Sequence, residues 1–314
     1  MRPAAVRVEA RAKLNLGLRI GPRRDDGFHD LVSVFQSVSL ADTLIVERRR
    51  SGFSLEVRNE SVALRGRLAT SRVPSGDANL VLRAARAFAG RHRVTGGARF
   101  RLIKRIPSGS GLGGGSADAA AALVALRALF YPGLDRQDLL ELATDLGADV
   151  PFALRGGTAI GTGRGERLAP MSLDRGFRAL IAMPGFTTST SDAYRAFDRL
   201  KYGLTGWRSY LRSAQRIARE GIITIERALS LGNSFEITLG PRRGEFESLR
   251  DRLLDAGVQH ARLTGSGSAV FGVIEAGVSA RSVVSRFRGP EAIYLVHSTR
   301  AGVRLRARHD PGRL

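Results

Sequence analysis

The sequence predicts an α+β fold in two domains, residues 1–170 and 171–314. Three observations predict it. In the first half, alternating strand-like stretches run into a glycine-rich loop and then into a helix that is apolar on nearly every face. In the second half, the order from Glu245 to His297 is helix, strand, turn, strand, helix, strand, a split β-α-β arrangement. The composition shifts between the halves near Pro170. At 314 residues the chain is long enough for two domains, each with its own core.

Taken in order, Arg7–Ile20 alternates as a strand does and carries Ala12-Lys13-Leu14-Asn15-Leu16. Gly21–Gly27 reads as a turn. Leu31–Glu47 alternates again, with Asp42 predicted at a turn between two antiparallel strands. Ser51–Leu68 is polar and predicts short strands and a loop. Ser75–Asn79 has helix-cap chemistry ahead of Leu80, Val81, Ala84, Ala85 and Phe88, in a helix that ends at Gly90. Arg99–Arg105 is a strand, and Ser116–Phe130 is a buried helix broken by Pro132-Gly133. Asp135 caps Arg136–Leu146, with Asp138 in the first turn. The glycines of Gly156–Gly165 suit a strand with tight turns. Beyond the boundary, Phe177–Met183 is a strand. Helical periodicity follows over Asp192–Leu200 and Trp207–Leu231. Glu245–Ala256 is an amphipathic helix closed by Gly257, and Ala261–Phe271 is strand, small-residue turn and strand.

Composition excludes several functions. The hydrophobic and charged fractions, 43% and 25%, are those of a globular protein. No apolar run reaches the ~18 residues of a membrane span, and the first residues alternate like a strand and lack an apolar signal core. Cysteine is absent, which rules out disulfides and thiolate sites and suits a cytoplasmic protein. The net charge of +21, from 50 basic against 29 acidic residues, would suit a polyanion. Yet the excess is spread along the chain, with no zinc pattern and no aromatic ribonucleoprotein motif. Only Lys13, Lys104 and Lys201 are lysines; every other base is arginine. That is a bias applied throughout, and it predicts no dedicated nucleic-acid partner.

The chemistry centres on Pro107-Ser108-Gly109-Ser110-Gly111-Leu112-Gly113-Gly114-Gly115-Ser116-Ala117. Glycine permits positive φ and removes the Cβ that would keep backbone N–H groups from a ligand. A helix that opens straight after such a loop has unpaired leading N–H groups. Together they make a phosphate cradle. A Walker A loop is excluded because no lysine follows a glycine. The dinucleotide pattern G-x-G-x-x-G is matched at Gly109, Gly111 and Gly114, but the second strand ending in an acid that it requires is replaced by a helix start at Asp135. The protein-kinase motifs H-R-D and D-F-G do not occur.

Phosphoryl transfer to an alcohol also needs a group that positions or deprotonates the hydroxyl. Asp149, in Leu146-Gly-Ala-Asp-Val-Pro-Phe152, suits that role; equally, it could cap the helix that follows. Lys13 could be the solvent side of a half-buried strand, yet a lysine in an apolar stretch of an arginine-writing chain is informative, because the two bases are not interchangeable beside a phosphoryl group. Phe28-His29 is either a local turn pair or a place where a flat heterocycle stacks and hydrogen-bonds.

The stretches A-K-L-N-L, R-x-D-G-F-H-x-L, P-S-G-S-G-L-G-G-G-S-A-D-A-A, L-G-A-D-V-P-F and L-T-G-S-G-S-A-V-F stand in order along nearly the whole chain. Together they resemble the small-molecule kinase family named for galactokinase, homoserine kinase, mevalonate kinase and phosphomevalonate kinase. The D-G-F-H element is similar to the branch that acts on a cytidine-diphosphate-linked methylerythritol in the non-mevalonate isoprenoid route. The resemblance implies the two-domain kinase fold, ATP with Mg2+, and phosphorylation of the 2-hydroxyl. It implies a catalytic pair of Lys13 and Asp149, an ATP loop over Pro107–Ala117 and Asn79 near the nucleotide. Cytosine would be read by His29 between Phe28 and Tyr194, and Asn15 and Thr190 would line the diphosphate or erythritol end. Two positions depart from the family: Phe28 stands where tyrosine is common, and Ala117 where a second serine is frequent. A homoserine or mevalonate kinase is the alternative within the family, and a basic RNA-binding protein the alternative outside it, since a split β-α-β unit also serves RNA.

Overall fold

A computed structural model describes residues 3–66, 73–74, 76–200 and 206–308. Leu68, Ser75, Lys201 and the last residues of the arginine-rich tail lie outside them. The alternating N-terminal stretch forms β1 (Ala5–Arg23), longer than the predicted strand because Gly21–Arg23 continue it. It runs antiparallel to β2 (His29–Arg49). Here the structure corrects the sequence reading: Leu31–Glu47 is one strand, and Asp42 is not at a turn but fully buried within it. Its carboxylate finds backbone donors just past the end of a strand more than fifty residues away, which offsets the cost of burying the charge.

Strand β2 changes partners along its length. Ser33–Gln36 pair with β5 (Thr158–Thr162), and Thr43–Arg49 pair with β4 (Gly97–Lys104). Strand β3 (Phe53–Asn59) lies parallel to β4, and β6 (Arg167–Leu173) continues the sheet beyond β5. The C-terminal β12 (Val303–Arg308) returns to pair with β1. The exposed Arg304 and Arg306 guard that sheet edge with charge. Residues from both sides of position 170 therefore share the first sheet, and β6 crosses that position.

Four helices cover one face of this sheet: α1 (Leu80–His92), α2 (Gly114–Phe130), α3 (Arg136–Leu146) and α4 (Val150–Arg155). Asn79 caps α1 and Asp135 caps α3, each through its side chain. Helix α2 is buried over most of its surface, packing alanines 119–122, Leu123 and Leu126 against Val6, Val8, Leu44 and Val46.

The second sheet is antiparallel, in the order β11 (Ala292–His297), β7 (Arg178–Met183), β10 (Val270–Ile274), β9 (Val258–Leu263). Helices α8 (Arg243–Asp255) and α9 (Ala280–Arg286) complete the expected split β-α-β arrangement, which begins one strand earlier than the sequence suggested, at β7. Between β7 and α8 stand α5 (Thr190–Arg199), α6 (Trp207–Glu220), the two-residue β8 (Ile222–Ile223) and α7 (Ile225–Ser230). Gly221, at φ +72°, breaks the long predicted helical run. Leu14, Leu16, Val32 and Val34 meet Ile181, Phe271 and Tyr294 in the core between the two sheets. Residues 13 and 15 of β1 alternate onto the opposite face. Among the described residues no helix is long and apolar enough to cross a membrane.

Candidate active site

One cleft of about 1230 Å³ is lined by the glycine loop, Lys13, Asp149, His29 and Tyr194. The loop enters it from the end of β4, and both its ends are tied by a buried charge cluster. Asp42 Oδ1 accepts the backbone N–H groups of Arg105 (2.5 Å) and Ile106 (2.8 Å), and Oδ2 accepts from Lys104 Nζ. Lys104 also donates to Asp118 Oδ2 of α2 at 2.7 Å. None of the three is more than 3% exposed. Burial pushes the Asp118 carboxyl well above the usual carboxylate range, the Asp42 charge adds to it, and Lys104 offsets part. Burial disfavours charge on Lys104 too, but the two carboxylates hold it above its ordinary value. Asp118 Oδ1 is buried without a partner.

Within the loop, side chains set the shape. Ser110 is buried; its hydroxyl donates to the Pro107 carbonyl at 2.7 Å and accepts from Leu112 N–H at 3.4 Å. Leu112 and Ala117 are buried as well. Two glycines are required by close approach. Gly111 has φ +79°, and a Cβ there would lie 2.3 Å from the Thr264 carbonyl oxygen. Gly113 has φ +72°, and its Cβ would meet the Lys13 side chain at 3.0 Å. Gly113 brings no capping side chain to α2, and Gly113–Ser116 line the cleft with Pro107, Ser108 and Gly109. Gly111→Ala is expected to destabilise the fold by about 1–3 kcal/mol through strain at positive φ and overlap with the 264 carbonyl, and to raise the nucleotide KM on the order of tenfold or more. Wild-type melting temperature and KM together would remove the cradle assignment.

Lys13 and Asp149 meet at the centre, Nζ 3.3 Å from Oδ2. Lys13 is not a solvated strand residue; it is 7% exposed and its Nζ donates to Asn15 Oδ1 at 2.6 Å, 5.5 Å from the centre of the Phe35 ring. Asn15 is held in turn: its Nδ2 donates to Ser33 Oγ at 2.7 Å and its N–H to Thr264 Oγ1 at 3.0 Å. Both ends of the Asn15 amide are thus engaged, and its contact is with Lys13. Asp149 precedes α4 but makes no capping hydrogen bond. Asn79 also lines the cleft, although its amide serves the α1 cap and the Pro74 carbonyl.

The far end of the cleft gathers the remaining predicted residues. His29 is buried, and the Tyr194 ring stacks directly on it, centroids 5.3 Å apart at 21°. Burial, with the Asp149 carboxylate adding to it, pushes the Tyr194 phenol up to about 12. Phe28 lines the cleft but is exposed, with the Arg164 guanidinium 4.9 Å from its ring. Thr190 Oγ1 lies 2.8 Å from Ser266 Oγ, joining α5 to the 264–268 turn. Asp198, which no local pattern singled out, has Oδ1 2.9 Å from His29 Nε2. No local pattern singles out Asp42 either, and the one signal for Asp118 is that it is the lone carboxylate of the Ala- and Leu-rich α2.

The profile described as GHMP kinases N terminal domain matches residues 79–157. The 4-diphosphocytidyl-2-C-methyl-D-erythritol kinase of Pelotomaculum thermopropionicum is 39% identical over 290 residues, 92% of this chain and 96% of the relative. A crystal structure of 4-(cytidine 5'-diphospho)-2C-methyl-D-erythritol kinase aligns with a TM-score of 0.71 at 34% identity, covering 93% of this chain and 98% of that one. A homoserine kinase from Cytophaga hutchinsonii reaches the same TM-score, 0.71, over 96% and 97% of the two chains, but at 17% identity the likeness is one of fold.

Proposed function

The chain belongs to the family of 4-diphosphocytidyl-2-C-methyl-D-erythritol kinases, and from that membership we propose that it transfers the terminal phosphoryl group of ATP to the 2-hydroxyl of the cytidylyl substrate in the non-mevalonate isoprenoid route. The observation that carries the reading is the position of the Lys13–Asp149 pair, in one cleft with the glycine loop and with His29 and Tyr194. ATP phosphates would lie against the N–H groups of the loop and of α2. The substrate would lie with its base towards His29 and its hydroxyl at Asp149. Residues 1–170 would supply the nucleotide site and the catalytic pair, and residues 171–314 would add Thr190, Tyr194 and the 264–268 turn.

In this arrangement Asp149 accepts the hydroxyl proton or orients the hydroxyl for attack. Its side chain is 34% exposed against 9% for Lys13, so the acid is the member of the pair that a substrate reaches. Lys13, whose ammonium donates to Asn15 and whose backbone N–H donates to the Leu112 carbonyl, orders the hydroxyl oxygen and offsets charge on the transferring group. Among the described residues no three metal-ligating side chains cluster. A Mg2+ ion would take phosphate oxygens and water, its usual ligands, beside Ser116 in the lining of the cleft. Bound with the nucleotide, it supplies further charge neutralisation. The lack of cysteine suits the reducing cytoplasm, where this reading puts the enzyme.

A product assay with the cytidylyl substrate and terminally labelled ATP tests the reading. Label is expected on the 2-position; comparable transfer to homoserine or mevalonate would overturn it. His29→Ala is expected to weaken the cytidylyl substrate by about 1–3 kcal/mol, for the partner group left unpaired, with the ATP KM unchanged. A fall in ATP affinity instead would mean the two ends of the cleft are reversed.

A further inference from the structure

The open face of the first sheet gathers charge that the sequence scatters. Five strands pair side by side in the order β12, β1, β2, β4, β3. Side chains alternate along a strand, so one set of positions faces the helices and the other faces away. Val8, Val46, Val57 and Phe100 pack on the helix side. The alternate positions carry arginine on every one of the five strands. Glu9 on β1 holds Arg11 at 3.4 Å and Arg306 of β12 at 2.9 Å. Glu47 on β2 holds Arg49 at 3.2 Å and Arg101 of β4 at 2.9 Å. Glu56 on β3 holds Arg58 at 2.9 Å and Arg99 of β4 at 3.2 Å. Arg7 and Arg304 are exposed on the same face, with no carboxylate at ion-pair distance among the described residues. Three glutamates thus stand against eight arginines, and each glutamate is shared by two. Alternation sets these arginines apart along the chain, which is why the excess reads as evenly spread in the sequence.

Exposed ion pairs add little to stability, so holding the sheet together does not account for the pattern. The pairs fix guanidinium groups: each glutamate joins an arginine of its own strand to one of the next and leaves the face positive. At the end of β2 the surface is concave. A cavity of about 890 Å³ there is lined by Arg48, Arg49, Arg50 and Arg99 with three hydroxyl side chains and no carboxylate. The Arg48 guanidinium is steadied 4.9 Å from the Phe130 ring. We propose that this face binds the phosphate backbone of a nucleic-acid duplex without reading its sequence. The planar fork of arginine matches phosphate oxygens bidentately and is more weakly hydrated than an ammonium. Five strands make a face about 20 Å across, with side chains on it about 7 Å apart along each strand. None of its side chains is aromatic, so it has no platform on which unpaired bases stack, and a duplex suits it better than a single strand. Protein interfaces deplete charge at their centre, whereas Glu47, Arg99 and Arg101 stand in the middle of this face.

The test is fluorescence anisotropy of short labelled RNA and DNA duplexes with the full chain, titrated over a range of salt, with melting temperatures checked. Wild type is expected to bind with a Kd of about 10⁻⁶–10⁻⁴ M at physiological salt and to weaken steeply as salt rises, because binding releases counterions. Arg7→Gln, Arg49→Gln and Arg304→Gln combined should weaken binding by about tenfold or more and flatten the logarithmic salt slope by about 2–3. A second triple variant, Arg208→Gln, Arg212→Gln and Arg281→Gln, removes the same charge from exposed positions elsewhere. It should stay within about twofold of wild type. Turnover and both KM values should be unchanged in the face variant, since none of its positions lines the cleft. Equal binding of the two duplexes would show that the shared backbone is the ligand, and a preference would name its source. Equal losses in the two triple variants would overturn the face as a site, leaving a diffuse field. So would an absence of duplex binding at low salt, or tighter binding of single strands, of phosphatidylserine vesicles or of an acidic protein.

Discussion

Asp149→Asn is expected to lower kcat by roughly 10²–10⁴-fold with little change in either KM, since asparagine keeps the shape and loses basicity and charge. The competing explanation, a helix cap, has no geometric support. The capping residues Asn79, Asp135 and Ser189 take extended backbone and accept a backbone N–H through the side chain. Asp149 sits at φ −85°, ψ −13° and accepts none. Its carboxylate instead lies beside the Lys13 ammonium. The half-exposed position predicts a small stability change, within about 1 kcal/mol. Initial rates at saturating ATP and acceptor, with a thermal melt, check both parts. Turnover near wild type would leave Asp149 with a structural role only.

Lys13→Arg should cost on the order of 100-fold in kcat although the formal charge is the same. The Lys13 stem lies against Gly113, where even a Cβ would come within 3.0 Å, and its head is fixed between Asn15 and Asp149. A longer, planar fork must displace one of these, and a shift of about 1 Å at a reacting centre has that effect on rate. Lys104→Arg would not be a neutral comparison, because Lys104 is buried between two carboxylates. Arg99→Lys, on the partly exposed face of β4, is the suitable one. Equal and small effects on kcat at positions 13 and 99, in proteins of unchanged melting temperature, would sink the catalytic role of Lys13.

Features that depend on neighbours a few residues apart are legible in the sequence. The caps at Asn79 and Asp135, the buried α2, the glycine loop and the split β-α-β order of the second sheet are set by local conformational cost and by apolar periodicity. Lys13, Asp149, the loop, His29 and Tyr194, which the motifs single out, line one cleft. Which polar groups meet across the chain is settled by packing between distant elements. Asp42 reads locally as a turn residue, yet it lies inside β2 because Lys104, Arg105 and Ile106 bring it their donors. Phe28 and His29 look like one aromatic pair, but one is exposed beside Arg164 and the other buried between Tyr194 and Asp198. The physical reason is common to both. A backbone preference is settled within a turn or a strand, whereas a buried charge or imidazole is stable only where a complementary group arrives from a distant element, and no local spacing encodes that arrival.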